Sequence, residues 1–390
     1  MKILRVIATM DPASGGPCQG IRNSIPALAK LGVQNDVVSF DDQDAPFFKN
    51  DKFQTFGLGK AIGPYAYNKN LSNWLNENIS QYDAVIIHGL WLYNSFGTYN
   101  SWKRLKTSIK VPALYVMPHG MLDPYFQKAP ERKLKAIRNR VFWKLFEANV
   151  INNCSGVLFT CQQELELART TFTPYKPKRE LNIGYGIQEP PSYRSEFREQ
   201  FLKILPKLEG KVYWLFLSRI HSKKGVDLLI NSYLKLSQEY FSLPELVIAG
   251  PGLETDFGKD MVKLGSHPKI HFPGMLSGNS KWGAFYGCEA FILPSHQENF
   301  GIAVAEAMAC KKPVLISDQV NIWKEIHQGK AGRVFHDTES GTYQALSDFI
   351  SLDQYEKEQM GLDAYNTYKT HFSIETAAQK MFDQLNLNTL

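Results

Sequence analysis

The chain has 390 residues, with 44 Lys plus Arg against 38 Asp plus Glu and a formal net charge of +6 at pH 7. That length suits two domains that each bury a core, and the mild basicity permits an anionic ligand or an acidic surface without demanding nucleic acid. Five scattered cysteines (Cys18, Cys154, Cys161, Cys288, Cys310) lack C-x-x-C or zinc spacing, which predicts reduced thiols in a cytoplasmic protein, and no run reaches the ~18 apolar residues that cross a bilayer.

The amino terminus MKILRVIATMD reads as a first β-strand, not a signal peptide. Apolar runs at 2–8, 36–40, 83–87, 112–117 and 156–160 alternate with amphipathic or turn-rich stretches, the pattern of βα units and a parallel sheet. A Pro- and charge-rich segment, 188–211, interrupts the pattern, and strands are expected again at 212–217, 245–249, 269–272, 290–294, 313–316 and 332–335. Two serial α/β halves joined near residue 190 predict two Rossmann-like domains facing a central cleft.

The loop after the first strand contains Gly15 and Gly16, which let backbone approach a ligand closely, and Pro17 suits the first turn of the next helix. It lacks G-x-G-x-x-G spacing, which removes the main support for a nicotinamide or flavin enzyme. Asp41, Asp42 and Asp44 contain a D-x-D, a weak metal signal set against ordinary solvated acids. His88 and His119 each follow a strand and precede a glycine, so both are expected at the cleft. Segment 131–149 is amphipathic and basic. Its apolar stripe, Leu134, Ile137, Val141, Phe142, Leu145 and Phe146, is expected to pack on the sheet, leaving Lys133, Arg140, Lys144 and Trp143 for peripheral contact with anionic headgroups.

In the second half, Ser218 to Gly225 (SRIHSKKG) places Arg219 and Lys224 at a strand's carboxyl end, where a guanidinium fork and an ammonium can neutralise a diphosphate. Gly250, Pro251 and Gly252, and Pro273 to Leu276 with Met275, are further strand-end loops whose ordinary reading is turn chemistry. Glu298 lies at the end of the strand expected at 290–294. Glu306 lies two turns along the following helix, amid Ala and Val, where a carboxylate needs partners. The amides of Asn299, Phe300 and Gly301 at the helix start are suited to an anion or a sugar hydroxyl.

Residues 290–316, with Glu298 and Glu306 in an E-x7-E pattern, the small-residue helix and the strand PVLIS, resemble the signature of retaining glycosyltransferases of family 4. Arg219, Lys224 and Gly225 match that family's G-R-x-x-x-x-K-G loop, with Ser218 in place of Gly. Pro118-His119-Gly120-Met121 and the loop with Gly15 and Gly16 are similar to its amino-terminal segments. Asn182 to Ile187 lacks the usual Pro and Asn and keeps Gly186 alone. The resemblance implies a GT-B fold, an amino-terminal acceptor domain over 1–189 plus 372–390, and a donor domain over 190–371. It implies a donor site of Gly15, Gly16, Arg219, Lys224, Gly250, Pro251, Met275, Glu298, Asn299, Phe300, Gly301, Ile302 and Glu306. In it His119, Glu298, Arg219 and Lys224 serve catalysis, Glu298 binds the sugar hydroxyls and Glu306 the ribose diol. Neither metal nor cofactor is implied. The expected partners are a nucleotide diphosphate sugar, UDP-glucose first and GDP-mannose second, and a glycan or lipid-linked acceptor, with no nucleic acid. The alternatives are a sugar-nucleotide epimerase, a phosphorylase, and a silent binding partner of another transferase. An epimerase needs no acceptor, a phosphorylase needs phosphate, and a silent binder need not keep all four of Arg219, Lys224, Glu298 and Glu306.

Overall fold

The computed structural model describes residues 1–129 and 132–386. The chain divides into two units, Met1–Gly186 with the segment from Ile374 onward, and Ile187–Ser373. The first unit is built on seven parallel strands: β1 (Lys2–Val6), β2 (Gln34–Ser39), β3 (Gln54–Gly57), β4 (Ala84–His88), β5 (Ala113–Met117), β6 (Gly156–Phe159) and β7 (Glu180–Asn182). Their order is β3-β2-β1-β4-β5-β6-β7. β4 and β6 are buried along their whole length, as expected of strands covered on both faces, which is why they read as continuous apolar runs.

The second unit carries six parallel strands, β8 (Tyr213–Leu217), β9 (Glu245–Ala249), β10 (Ile270–Gly274), β11 (Ala290–Leu293), β12 (Val314–Ser317) and β13 (Gly332–Phe335), in the order β10-β9-β8-β11-β12-β13. Strand order therefore reverses between β1 and β4 in one sheet and between β8 and β11 in the other. Adjacent loops at such a reversal leave the sheet in opposite directions and open a crevice at the strands' carboxyl ends.

Two strands have no counterpart among those expected. β3 (QTFG) and β7 (ELN) are short edge strands, only partly buried, without the apolar run that marks the interior ones. The helix Gly16–Lys30 begins with Pro17 in its first turn and buries Cys18, Ile21, Ile25, Ala27 and Leu28. The helix Ile374–Asn386 packs beside it and turns Ile374, Ala377, Ala378, Met381 and Leu385 inward at i, i+3, i+4 spacing. Burial of Leu385 alone is worth about 1.5 to 3 kcal/mol. All five cysteines are buried and free.

The expectation for 131–149 is corrected. Pro130 and Glu131 lie outside the described residues, and Lys133–Phe142 is an α-helix that runs into a π-helical turn, Trp143–Glu147. Its buried line is Ala136, Asn139, Trp143 and Glu147, and Trp143 stacks on Phe172 at 4.7 Å. Leu134, Ile137, Val141 and Leu145 are 48 to 84% exposed. At 100° per residue the two lines lie on opposite sides of the helix. Phe142 and Phe146 turn instead to Tyr65, at 5.3 and 6.0 Å. The larger aromatic surface of Trp143, with the Glu147 hydrogen bonds, sets the packed face, and the aliphatic stripe is left in solvent.

Candidate active site

In the second unit the two loops at the strand-order reversal are laced together. After β8, His221 Nδ1 accepts the Lys223 N–H (3.1 Å) and starts a short turn, Ser222–Lys224. Gly225 closes it at φ +64° and begins the helix Val226–Glu239. A Cβ on Gly225 would sit 2.0 Å from the Pro294 carbonyl oxygen, so only glycine lets this loop meet the end of β11. Across the contact, Ser295 Oγ and His296 N–H donate to the Lys223 carbonyl at 3.0 and 2.8 Å, and Lys223 Nζ reaches Gln297 Oε1 at 2.8 Å.

This packing brings Lys224 Nζ onto Glu298 Oε2. The Lys224 side chain is 4% exposed and that of Glu298 23%. Burial acts to raise the Glu298 pKa. The Lys224 charge and hydrogen bond, the Lys223 charge and the Asn299 N–H overcome it and hold the carboxyl below its ordinary value. The backbone of Glu298 is fixed on both sides, by N–H donation to Gln319 O (3.0 Å) and acceptance from Asn321 N–H (2.9 Å). Arg219, on the same loop as Lys224, is exposed and makes no ion pair among the described residues.

The helix start after Glu298 differs in part from expectation. The Asn299 amide is engaged by Glu298 Oε1 at 3.1 Å, because the preceding carboxylate bends back onto it. Phe300 is buried, edge-on to Phe372 at 5.5 Å. Gly301 stands at φ +78°, and Ile302 opens the helix Ile302–Ala309. On that helix Glu306 Oε1 meets Lys281 Nζ at 2.8 Å. Lys281 lies on the helix Gly278–Gly287, outside any loop motif, and no sequence signal marks it. At the ends of β9 and β10, the Gly250 N–H donates to Gly274 O (2.8 Å) and Pro251 O accepts from Ile220 N–H (2.8 Å). A Cβ on Gly250 would lie 1.7 Å from Ser218 O. Met275, next in line, is 71% exposed.

In the first unit, Asp11 caps the turn Pro12–Ser14 by accepting the Ala13 N–H (2.9 Å). Gly15 stands at φ +93°, and a Cβ on Gly15 or Gly16 would meet nothing within 4 Å, so the loop face is open. Asp41 is committed to this region's backbone: it accepts from Thr9 Oγ1 (2.6 Å) and Met10 N–H (2.8 Å). Asp42 pairs with exposed Lys60 at 3.3 Å. Among the described residues no group of three His, Cys, Asp or Glu is placed to hold a metal ion.

His88 and His119 meet: His88 Nδ1 and His119 Nε2 are 2.9 Å apart, with the rings stacked at 5.1 Å. His88 is the last residue of β4 and only 4% exposed, a core position that corrects the expectation of a cleft role over a core one for this histidine. Its side chain turns under the helices Gly16–Lys30 and Ile374–Asn386, where it lines a cavity of about 40 Å³ with Arg5, Ser24, His119, Tyr185 and Met381. Arg5, near the end of β1, is 2% exposed; its Nη1 is 3.4 Å from His88 Nε2 and its Nε 2.9 Å from Asn35 Oδ1. Burial pushes the guanidinium down to about 10. Burial, then the Arg5 charge, pushes His119 down to about 3, and burial with the charges of His119 and Arg5 keeps His88 well below the ordinary histidine value. His119 itself sits at φ +54°, a conformation uncommon outside glycine and concentrated at functional positions. Buried Glu164 holds that turn, with Oε1 2.5 Å from the Gly120 N–H and Oε2 2.7 Å from the Thr160 N–H. The sequence carried no signal for Arg5, Asn35 or Glu164, because an arginine inside an apolar strand run reads as noise.

Residues 197–367 match the family described as "Glycosyl transferases group 1". Among similar sequences are an uncharacterised glycosyltransferase of Methanocaldococcus jannaschii and a mannosylfructose-phosphate synthase of Agrobacterium fabrum. The first is 34% identical over 26% of this chain and 26% of its own length. The second is 24% identical over 88% of this chain and 76% of its own. Among solved structures, sucrose-phosphate synthase from Thermosynechococcus elongatus superposes with a TM-score of 0.73 at 18% identity, covering 99% of this chain and 98% of that one. Anabaena HepE in complex with UDP and glucose gives 0.73 at 17%, covering 99% and 100%. These likenesses place the fold as GT-B.

Proposed function

We propose that the chain, whose residues 197–367 match the group 1 glycosyltransferases, is an enzyme of that family and moves a hexose from a nucleotide diphosphate sugar to an acceptor hydroxyl, with retention at the anomeric carbon and without a metal. The observation that carries the reading is the Lys224–Glu298 pair at the reversal between β8 and β11, where this kind of sheet takes its ligand. In this reading Ile187–Ser373 binds the donor and the amino-terminal unit the acceptor. Arg219 and Lys224 offset the charge that develops on the departing diphosphate. Glu298 accepts from sugar hydroxyls while Lys224 keeps it ionised, and Glu306, with Lys281 beside it, takes the ribose diol. Gly250, Pro251 and Met275 flank the base, and Asn299 to Ile302 border the sugar. The anomeric carbon loses its bond to the phosphate oxygen and gains one to the acceptor oxygen on the same face. The acceptor's proton passes to the leaving phosphate, so no protein nucleophile is assigned.

UDP-glucose is the first donor proposed and GDP-mannose the second; the UDP and glucose held by HepE support the former, and the name of the Agrobacterium relative the latter. The acceptor is a glycan or a lipid-linked sugar in polysaccharide or glycolipid assembly. The exposed line of Leu134, Ile137, Val141 and Leu145, flanked by exposed Lys133, Lys135, Arg138, Arg140 and Lys144, complements an anionic bilayer surface, and a cytoplasmic protein docked at that face meets such an acceptor. No helix among the described residues is long and apolar enough to cross a membrane.

The experiment is a thermal-shift panel of UDP, GDP, ADP and their sugars, followed by transfer assays with EDTA present. A ligand at roughly 100 times its Kd adds about 2.7 kcal/mol. Stabilisation by one nucleotide, and transfer of its sugar with retention, supports the proposal. Isomerisation of the sugar nucleotide without an acceptor, or binding without any turnover, overturns it.

A further inference from the structure

The geometry points to Arg5 and His88 as positioning residues that fix the tautomer of His119, so that His119 presents Nδ1–H as a hydrogen-bond donor to a substrate oxygen. The argument is one of donors and acceptors. A guanidinium carries five N–H donors and no acceptor. At 3.4 Å from Arg5 Nη1, His88 Nε2 therefore has to offer its lone pair. A neutral imidazole has one donor and one acceptor, so His88 carries its proton on Nδ1. That Nδ1 faces His119 Nε2 at 2.9 Å, which must accept in turn, and the proton of neutral His119 is left on Nδ1. No hydrogen bond of His119 Nδ1 is made among the described residues, and His119 lines the cavity shared with Arg5 and Tyr185.

The start of this chain of bonds is itself fixed. Asn35 Nδ2 donates to Val33 O at 3.4 Å, which turns its Oδ1 toward Arg5 Nε at 2.9 Å. Among the described residues, Arg5 Nη2 reaches the weak acceptor Met381 Sδ at 3.9 Å. The His88 carbonyl is held by Asn94 Nδ2 at 2.9 Å, and the turn bearing His119 is held by Glu164 on Gly120. Burial and the fixed positive charge of Arg5 keep both rings neutral. With Nε2 occupied and Nδ1 protonated, His119 is a donor throughout the ordinary pH range and has no free lone pair with which to act as a general base. The inference rests on the proposed function only in taking His119 to meet substrate.

The test is long-range proton–nitrogen correlation on the ligand-free, full-length protein labelled with 15N-histidine, assigned with His88→Asn and His119→Asn. Both rings are expected neutral with the proton on Nδ1. A proton on Nε2 of either ring, or an imidazolium at pH 7, overturns the inference whatever the enzyme's activity proves to be. In Arg5→Leu the chain of bonds loses its fixed end, and the Nε2-protonated form of His88 should appear. Arg5→Lys, a donor without an acceptor, should keep the original pattern. Donor turnover should fall in Arg5→Leu by roughly tenfold to a hundredfold, the scale for losing an orienting outer partner, with KM little changed and with recovery in Arg5→Lys. Unchanged tautomers in folded Arg5→Leu also overturn it. If that variant does not fold, the wild-type spectrum and Arg5→Lys still decide. Correct tautomers in a protein without transfer activity would overturn the proposed function and leave the tautomer assignment standing.

Discussion

Lys224 and Glu298 are 74 positions apart in the chain and ion-paired at the ends of β8 and β11. The ammonium and the carboxylate offset each other's charge in a place where either alone would be costly. Burial acts to raise the Glu298 pKa, and Lys224 reverses it. The lysine proposed to meet a diphosphate and the carboxylate proposed to meet a sugar are thus one electrostatic unit.

Lys224→Ala should therefore cost stability as well as turnover. The expected loss is about 3 kcal/mol, at the lower end for breaking a buried pair, because residual exposure of Glu298 allows some screening. The double variant Lys224→Ala/Glu298→Ala should recover part of that loss. Strictly additive losses in denaturant unfolding would show that the two charges do not depend on each other.

The two glutamates should separate in calorimetry with free nucleoside diphosphate. Glu306→Ala should weaken the free nucleotide by about 1.5 to 3 kcal/mol, the scale of a charged hydrogen bond. Glu298→Ala should leave it nearly unchanged while donor-sugar turnover falls. Equal losses of nucleotide affinity would sink this division of roles.

Gly225→Ala should destabilise the protein and cripple donor binding together. A left-handed φ of +64° costs a side chain about 1 to 2 kcal/mol, and the added Cβ would stand 2.0 Å from Pro294 O. Gly15→Ala meets open space and should cost only the backbone term. Thermal unfolding of the two variants should rank them in that order.

Glu147, fully buried on the π-helical turn, accepts from Ser95 Oγ (2.6 Å) and Trp91 N–H (2.9 Å). Burial nevertheless raises its pKa to about 7. The folded state holds a proton that the unfolded chain releases above the ordinary glutamate value, so this stabilising term is complete below about 4.5 and is lost as pH rises through 7. The depressed pKa values of His88 and His119 act with opposite sign, their contribution being lost as pH falls below 6.5, in the case of His119 toward about 3. They cancel when wild type is compared with Glu147→Gln. That difference curve should favour the variant progressively between pH 4.5 and 7, by on the order of 3 kcal/mol. A flat difference would place Glu147 as an ordinary ionised carboxylate.

Leu134→Asp/Leu145→Asp should reduce cosedimentation with vesicles rich in anionic lipid by at least roughly tenfold, since each aspartate removes apolar contact and opposes a basic cluster in which each cation contributes about 1 kcal/mol. Exposed positions of this kind shift stability by about 0.5 kcal/mol or less, so unfolding should be unchanged. Wild-type protein that ignores such vesicles would remove the docking surface.

The interior strands were legible because a strand covered on both faces must be apolar along its length, as in AVIIH of β4 and VLIS of β12. Edge strands β3 and β7 were not, since half their surface faces solvent and their composition is that of a loop. The loops carrying Arg219, Lys224, Glu298 and Glu306 could be put at strand ends and helix starts by local pattern. Their partners could not. Lys281 on Glu306, Arg5 on His88 and Glu164 on Gly120 join residues whose spacing in sequence has no period.

The sequence by itself determined two parallel α/β halves, the strands of their interiors and the glycines that their tight loops require, because burial, side-chain alternation and φ > 0 act on each segment locally. Only the tertiary structure decided that His88 supports His119 and is not open beside it, that the Asn299 amide is claimed by Glu298, and which side of Lys133–Phe142 is packed. An amphipathic pattern states that a face is apolar but not whether anything covers it. A titratable side chain likewise takes its charge and its proton from neighbours that folding, and not chain order, sets within hydrogen-bond reach.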